Sequence, residues 1–293
     1  MIAQTCGLVL VSRRRFLAST LALTLHMRSP SEALASSVER KLVATVVRGE
    51  GLVPPLTLGI ARVVLRPGAS ASASTPSGAR MIVVESGVLA VSSISEGPQP
   101  FTSAALAVAD PAPDEGDELF VPAGTTVTFG SIGVSRVRNP GARSVVALEV
   151  AVFREEPRPI SRAFTTEEGI SFQLLASASA AAAPGGRVAL ALERLRLGAQ
   201  SELPADLCRG LTLAYVEAGT VELRSVAGDV FAARAAASTP YSMPGSLQPI
   251  VTGDMRGVTA GGFIFLPQGA ECEVANVATR PADVLTLAVR EVA

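Results

Sequence analysis

The interpretation of this chain starts from the stretch Gly116-Asp117-Glu118-Leu119-Phe120-Val121-Pro122-Ala123-Gly124-Thr125-Thr126-Val127. Its order is a polar turn, a short apolar strand, a Pro-x-Gly turn and a second strand. The same order returns about 145 residues later as Gly261-Gly262-Phe263-Ile264-Phe265-Leu266-Pro267-Gln268-Gly269-Ala270-Glu271-Cys272. A repeat of strand-forming segments at that spacing predicts two copies of one all-β module.

The composition fits two globular domains and excludes several classes of function. A chain of 293 residues, 48% of them apolar, is long enough and apolar enough to bury two cores. It has no tryptophan, so these cores must be filled by Val, Leu, Ile and Ala. With 25 basic against 26 acidic residues and no basic run, no nucleic-acid partner is expected.

The first 35 residues are interpreted as an export signal. The stretch Ser12-Arg13-Arg14-Arg15-Phe16-Leu17 resembles the twin-arginine signal at every fixed position. The apolar run that follows, 18–25, is too short to span a bilayer. Ala33-Leu34-Ala35 is a small-x-small site at which a peptidase could cut before Ser36. We expect export to the periplasm or the exterior, with membrane contact only through this signal.

Cleavage there would change the chemistry available to the protein. It leaves 21 basic and 25 acidic residues, a formal charge near −4, and removes His26, the only histidine. Without histidine, Ser-His-Asp and Cys-His catalysis are excluded. The commonest metal ligand in proteins is lost as well.

Alternating apolar segments divide the remainder into two sets of strands. The first set is expected within 50–153 and the second within 170–293, and the Pro-rich segment 154–169 is the expected linker. Strands are expected at 56–66, 81–85, 88–93, 104–108, 119–121, 126–129, 134–138, 144–153, 187–197, 211–217, 220–225 and 284–290. Loops are expected at 69–78, which is rich in Ser and Ala, and in the insertion 226–255, interpreted as a lid or a surface crossover.

Each half resembles a cupin, the small double-sheet barrel with jelly-roll topology. The family motifs are Gly-x5-His-x-His-x3/4-Glu-x6-Gly and Gly-x5-Pro-x-Gly-x2-His-x3-Asn. Their structural positions are matched by Gly68, Gly87, Gly116, Pro122 and Gly124, and then by Gly198, Gly219, Gly261, Pro267, Gly269 and Asn276. The resemblance implies an all-β bicupin, two tandem cupin-type double-stranded β-helix (jelly-roll) barrels. The rival is another duplicated β-sandwich.

The metal ligands of that family do not occur at the matching positions. Three histidines and one glutamate usually hold the metal inside a cupin barrel. In the first half the histidine places fall on Ser74, Pro76 and Val127, and the glutamate place falls on Arg80. In the second half they fall near Pro204 and Asp206, on Cys272, and on Thr212. We therefore expect neither a metal nor another cofactor.

The same positions supply the candidate ligand-binding residues. Arg80 and Arg209 could anchor a small anionic ligand in the barrel mouths, with a surface or rim ion pair as the alternative. Asp206, Thr212 and Cys272 complete the candidate set, and an apolar ligand is also compatible with it.

Cys208 and Cys272 are the only cysteines that remain after cleavage, and three interpretations are open. They could form a disulfide, which suits an exported protein. They could be two inert thiols, or they could hold a soft metal together with Asp206 or Met243.

Three functions follow from these features. The first is an exported, non-catalytic bicupin that is structural or binds a small ligand. The second is a divergent cupin enzyme, oxidoreductase-, dioxygenase- or isomerase-like, acting through Asp206, Arg209 and Cys272 in the second barrel. The third is an assembly module that forms a homodimer through its apolar strands. Barrels filled by Val, Leu and Phe would favour a structural role.

Overall fold

The computed structural model describes residues 38–48, 52–75, 78–93, 101–102, 118–129, 133–154, 168–234 and 246–292. All regular structure in these ranges is β. None of them contains a helix with the length and apolarity needed to cross a membrane. The export signal and the strand expected at 104–108 lie outside the described residues.

Twenty-one strands are present in the described ranges. The first eleven are β1 (Val38–Arg48), β2 (Leu56–Leu65), β3 (Ser70–Thr75), β4 (Gly78–Ser86), β5 (Val88–Ser93), β6 (Phe101–Thr102), β7 (Glu118–Pro122), β8 (Thr126–Phe129), β9 (Gly133–Arg138), β10 (Val145–Arg154) and β11 (Ile170–Ala180). The others are β12 (Val188–Leu197), β13 (Ser201–Glu202), β14 (Leu211–Ala218), β15 (Thr220–Ala227), β16 (Val230–Ala233), β17 (Gln248–Ile250), β18 (Met255–Thr259), β19 (Phe263–Leu266), β20 (Glu271–Asn276) and β21 (Ala282–Glu291).

The strand order is that of two jelly rolls. In the first half, β2-β10-β4-β8 lie side by side in one sheet and β3-β9-β5-β7 in the other. In the second half, β12-β21-β14-β19 and β13-β20-β15-β18 repeat that order strand for strand. All these pairings are antiparallel, as an eight-stranded jelly roll requires. The predicted all-β fold of two tandem barrels is confirmed. The predicted register of the repeat was wrong, because Pro122-x-Gly124 lies between β7 and β8, the counterparts of β18 and β19, whereas Pro267-x-Gly269 lies between β19 and β20. Gly124 N–H donates to Val84 as Gly261 N–H donates to Val216, so Gly261 is the counterpart of Gly124.

The two barrels exchange their outermost strands. β1, the first described strand, pairs with β12 of the second barrel from Val38↔Leu197 to Arg48↔Val188. β11, from the start of the second half, pairs with β2 of the first barrel from Ile170↔Leu65 to Ala180↔Leu56. Neither strand was expected from the sequence. The exchange extends the larger sheets to seven and six strands.

Three apolar cores follow from this arrangement. The first barrel encloses one, which includes Val84, Leu89 and Val137. The second barrel encloses another, which includes Val216, Leu223 and Cys272. The third lies between the six- and seven-stranded sheets, where outward-facing residues of both barrels pack together. The strands are apolar on both faces because each larger sheet is covered on both sides.

Two expected loops are partly strands. The segment 69–78 contains β3, which pairs with β9 over its whole length, and Ala69 and Ala71 are buried in the first core. Small side chains suit this position because they pack inside the barrel, so the expected loop was wrong there. The insertion 226–255 contributes β16 and β17, which extend the seven-stranded sheet at its edge. Residues 235–245, which contain most of the expected lid, lie outside the described residues.

Candidate functional site

The family's glutamate place in the first barrel holds a buried ion pair. Arg80, on β4, donates from Nε to Glu149 Oε1 on β10 at 2.7 Å. Arg80 is 3% exposed and Glu149 5% exposed, so the pair is sealed from solvent. The Arg80 guanidinium also lies over the Phe129 ring, 5.0 Å from its centroid, in cation–π contact. Arg80 is therefore in the barrel interior, not at the surface.

The environment of Glu149 opposes its ionisation. Burial raises the pKa of this carboxyl above its usual value, and the positive charge and hydrogen bond of Arg80 only partly offset that effect. Glu149 Oε2 has no hydrogen-bond partner among the described residues. The pair is thus enclosed on all sides by the barrel, an arrangement in which removing one partner leaves a buried charge.

In the second barrel, two buried threonines occupy the positions equivalent to Arg80 and Glu149. Strand register makes Thr212 the counterpart of Arg80, because Arg80 pairs with Ala151 and Phe129 while Thr212 pairs with Ala288 and Leu266. By the same register Thr286 is the counterpart of Glu149. Both threonines are buried, beside the second core.

The second barrel carries its buried carboxylate one strand away, on β12. Glu193 is paired with Thr286 and shares a strand face with Leu195, which lies in the second core. Its partner comes from the exchanged strand β1, where Arg40 Nη2 lies 2.7 Å from Glu193 Oε1. The carboxylate is buried, but Arg40 is about one third exposed.

Asp206 extends this pair into a chain of four charges, which we call the rim cluster: Glu193, Arg40, Asp206 and Arg290. Asp206 Oδ2 lies 3.0 Å from Arg40 Nη1 and 3.1 Å from Arg290 Nη1. Burial alone would raise the pKa of Asp206, but the two arginines outweigh it and lower that pKa below its usual value. Glu193 Oε2 and the Nε and Nη2 atoms of Arg290 are buried without a hydrogen-bond partner in the described part of the chain.

Cys272, Cys208 and Arg209 meet at a separate cleft of the second barrel. The cleft has a volume of about 270 Å³ and is lined by Glu202, Leu203, Ala205, Cys208, Arg209, Val226, Glu271, Cys272, Glu273 and Val274. Arg209 is 68% exposed in its side chain and lies 3.5 Å from Glu271. Three carboxylates against one guanidinium make an anionic ligand a poor match for this lining.

The predicted site residues therefore fall into three places. Arg80 is inside the first barrel, Asp206 belongs to the rim cluster, and Arg209 and Cys272 line the cleft. Thr212 is buried in the second barrel and lines neither the cleft nor the rim cluster. The set proposed for an enzyme, Asp206 with Arg209 and Cys272, is not gathered around one cavity.

Neither barrel has a donor set that fits the metal of the resembled family. In the first, the fixed positive charge of Arg80 occupies the ligand place, and Val127 is buried in the apolar core. In the second, Thr212 is opposite Leu266 and Ala288 on the neighbouring strands, and neither offers a ligand atom. A transition metal needs several imidazole, thiolate or carboxylate donors at one point. No group of three or more such residues that could hold a metal occurs within the described ranges.

The sequence interpretation missed a ring of four charges between the barrels. Arg62 and Glu85 of the first barrel face Arg194 and Glu217 of the second. Glu217 accepts from Arg194 Nε at 2.6 Å and from Arg62 Nη2 at 3.1 Å, and Glu85 accepts from Arg194 Nη2 at 2.8 Å. Alignment of the repeats already matches Glu85 to Glu217, and a glutamate repeated beside both apolar hairpins is the signal that could have revealed this interface.

Among known proteins, the chain matches solved structures only. No family model and no curated protein matches the chain. It is similar to the Lactobacillus farciminis oxalate decarboxylase formate complex, with a TM-score of 0.41, 11% identity, and 85% of each chain covered. It is also similar to a Cupin 2 conserved barrel domain protein from Leptotrichia buccalis, with a TM-score of 0.36 and 12% identity. The match covers 85% of this chain and 91% of the Leptotrichia protein. It is similar as well to the protein YhaK from Escherichia coli, with a TM-score of 0.33 and 12% identity. The match covers 84% of this chain and 93% of YhaK. The fold assignment rests on the strand order described above.

Proposed function

We propose that this chain is an exported, non-catalytic protein of the cupin type whose two barrels act as a structural scaffold. The observation that supports this most directly is the filling of both barrels. Their described inner faces carry Val, Leu, Ile, Ala and Phe, nearly all of them buried. A barrel that acts on a substrate keeps an open pocket with converging polar groups. Aliphatic filling is what a structural barrel needs.

The polar residues inside the barrels support the same proposal. In the Arg80–Glu149 pair, two opposite charges are joined by a buried hydrogen bond, and the Arg80 guanidinium stacks on the Phe129 ring. It fills the place at which the resembled family holds its metal, and it presents no nucleophile or titratable base to solvent.

Export by the twin-arginine route remains part of the proposal. The motif Arg13-Arg14 and the cleavage site before Ser36 support it, and cleavage there would leave every described strand intact because β1 begins at Val38. Replacing Arg13 and Arg14 by lysine should keep the protein in the cytoplasm, as measured by fractionation. Export of this variant at the normal level would contradict the proposed route.

A second candidate function is small-ligand binding at the rim cluster. The observation that favours it is the set of buried polar atoms without partners there, one acceptor on Glu193 and two donors on Arg290. A small polar molecule with both a donor and an acceptor would complete them. This candidate and the structural role are compatible, since the rim cluster lies outside the filled core.

Elemental analysis tests the structural proposal. The full chain is purified without chelator or histidine tag, challenged with Fe, Mn, Ni, Cu and Zn in turn, and desalted. We expect less than about a tenth of a metal per chain, because the donors needed for tight binding do not converge. Near-stoichiometric metal that is lost in C272S would contradict it and would favour an enzyme.

A thermal-shift screen of small polar molecules tests the second candidate. A compound that raises Tm of the wild type but not of R290Q would support binding at the rim cluster. R138Q, which removes an exposed ion pair with Glu118 in the first barrel, is the matched control and should keep its response to the compound. Equal responses of R290Q and the wild type would overturn the rim assignment.

A further inference from the structure

Cys208 and Cys272 are directly opposite each other on neighbouring chain segments. Arg209 and Glu271 form an isolated antiparallel bridge, and Cys272 N–H donates to Cys208 C=O at 3.1 Å. This pattern places the two cysteines opposite each other, one step along the ladder from the bridge and joined by one backbone hydrogen bond, since Cys208 N–H donates instead to Ala205 C=O. Opposite residues of an antiparallel pair have their side chains on the same face. Both thiols accordingly face the core of the second barrel.

The spacing of such a pair matches what a disulfide needs. Hydrogen-bonded residues of an antiparallel pair have Cα atoms about 5.5 Å apart. Disulfides bridge Cα atoms at roughly 4.4–6.8 Å, most often near 5.5–6 Å. The bond can therefore form without moving the backbone far. The structure holds both residues as free thiols, one next to the other.

The two thiols are chemically different although they are neighbours. A hydrogen bond between the side chains lowers the pKa of Cys208 and, together with burial, raises the pKa of Cys272. This sense requires Cys272 to donate its S–H and the Cys208 sulfur to accept. We assign the attacking role to Cys208 and the resolving role to Cys272, and the opposite order would close the same disulfide.

The cleft gives an oxidant access to the pair. Cys208 and Cys272 are only 4% and 6% exposed, but both line the cleft of about 270 Å³ that opens beside Arg209. The cleft is the route by which a small disulfide reagent would reach the two sulfur atoms.

We propose that Cys208 and Cys272 are a redox pair that closes to a reversible disulfide at the rim of the second barrel. The Cys208 thiolate attacks one sulfur of a low-molecular-weight disulfide, whose S–S bond breaks and releases one thiolate. Cys272 then loses its proton and attacks the Cys208 sulfur of the mixed disulfide, which releases the second thiolate. The protein loses two hydrogen atoms, and the reagent disulfide is reduced to two thiols.

The bond would add a covalent link between two parts of the barrel that are already joined by backbone hydrogen bonds from Leu203 to Val274 and from Cys272 to Cys208. Cys208 lies in the segment between β13 and β14, which also carries Asp206 of the rim cluster, and Cys272 lies on β20. Closing the link fixes that segment against β20. The disulfide would therefore restrict the motion of the segment that carries Asp206 and of the cleft wall. This effect does not depend on the proposed scaffold function.

The test uses the full chain with Cys6→Ser, because Cys6 would otherwise add a third thiol. The protein is unfolded, refolded in a buffer of reduced and oxidised glutathione, quenched with acid, and measured by intact mass and thiol titration. Refolding makes the result independent of access through the cleft. We expect loss of both titratable thiols, a mass lower by two hydrogen atoms, and a Tm higher by at least about 5 °C than that of the reduced protein.

Two single variants separate a pair from two independent thiols. In C6S/C272S, Cys208 should retain one bound glutathione, because no resolving thiol is present. In C6S/C208S, Cys272 should likewise retain one bound glutathione, because the thiol that would resolve the mixed disulfide is missing. Two free thiols after refolding of C6S, or a C6S protein that retains bound glutathione as the single variants do, would overturn the proposal.

Discussion

The two barrels have the same strand order, but each keeps its buried carboxylate on a different strand and neutralises it differently. In the first barrel Glu149 is on β10, and its arginine, Arg80, comes from the neighbouring strand β4 of the same barrel. In the second barrel Glu193 is on β12, and its arginine, Arg40, comes from the exchanged strand β1. The first pair is sealed, whereas the second leads through Asp206 to solvent.

This difference shows how a duplicated barrel can diverge without changing its backbone. Ala61 in the first barrel is the register counterpart of Glu193, and Thr286 in the second is the counterpart of Glu149. In both barrels a glutamate is therefore opposite a small residue, but the first barrel has Glu149 opposite Ala61 and the second has Thr286 opposite Glu193, with the two strands reversed. The first barrel holds a self-contained polar pair, and the second depends on a residue from the distant N-terminal strand.

The largest expected effect comes from breaking the sealed pair. Glu149→Leu leaves the Arg80 charge buried without its carboxylate, and it should lower the free energy of unfolding by about 3–5 kcal/mol. Replacing both members, in R80L/E149L, removes the charge as well and should recover most of that loss. Chemical denaturation of the three proteins measures both values.

The second barrel supplies the control for that prediction. Thr286→Val changes the register counterpart of Glu149 and removes only a hydroxyl, so it should cost about 1 kcal/mol. A loss from T286V as large as that from E149L would show that the ion pair adds nothing specific to the first barrel.

The next effect distinguishes the two equivalent hairpin turns. Gly87 and Gly219 both have positive φ, 82° and 79°. A Cβ on Gly219 would lie 2.9 Å from the backbone atoms Ala282 Cα and Pro281 O, which cannot move away easily. On Gly87 its nearest contact, at 3.0 Å, is the side-chain atom Val145 Cγ2. We expect G219A to cost about 2–3 kcal/mol and G87A about 1 kcal/mol, measured by denaturation.

A smaller effect concerns the ring of charges between the barrels. Glu217 receives three hydrogen bonds from Arg62 and Arg194, while Glu85 receives two, one of them long at 3.4 Å. E217Q should therefore cost about 1 kcal/mol and E85Q about half of that, because the arginines are one third exposed and screened. The costs should shrink in high salt. Equal costs, unchanged by salt, would indicate that packing and not charge sets the interface.

The smallest effect is the pH dependence contributed by Asp206. Its pKa is lowered in the folded state, so it stabilises the fold above its unfolded pKa of about 3.8, and this contribution is lost as pH falls through the folded pKa. D206N should therefore be less stable than the wild type by less than about 1 kcal/mol at pH 7, since the side chain is nearly half exposed. The difference should shrink as the pH falls below about 3.8 and disappear once the pH is below the folded pKa. A gap that persists at pH 2 would have another cause.

The sequence predicts the barrels well because their signals are local. The turn glycines Gly87 and Gly219 and the paired hairpins follow from patterns within about twenty residues, and the structure confirms them. The position of Arg80 in the first barrel was predicted through the family motif. Its partner was not, because Glu149 lies in a strand that the motif does not cover, and pairing partners distant in sequence leave no local pattern.

The strands missed by the sequence interpretation share a physical reason. β1 contains charged residues on both faces, among them Arg40 and Lys41, and β3 consists of Ser, Ala and Thr. Neither has the apolar alternation that predicts a half-buried strand. They are strands because long-range partners, β12 and β9, supply their hydrogen bonds. Tertiary context therefore decided these elements.

The strand exchange also sets the order in which the chain can fold. During synthesis β1 leaves the ribosome first, yet its partner β12 begins only at Val188, so it waits while the whole first half is made. β2 likewise keeps an open edge until β11 appears beyond the linker. Contacts this distant in sequence close slowly. The eight strands of the first barrel can pair as soon as β10 is made, but its larger sheet is completed only when β11 follows. Cutting the chain at the linker would release two halves that each lack an edge strand.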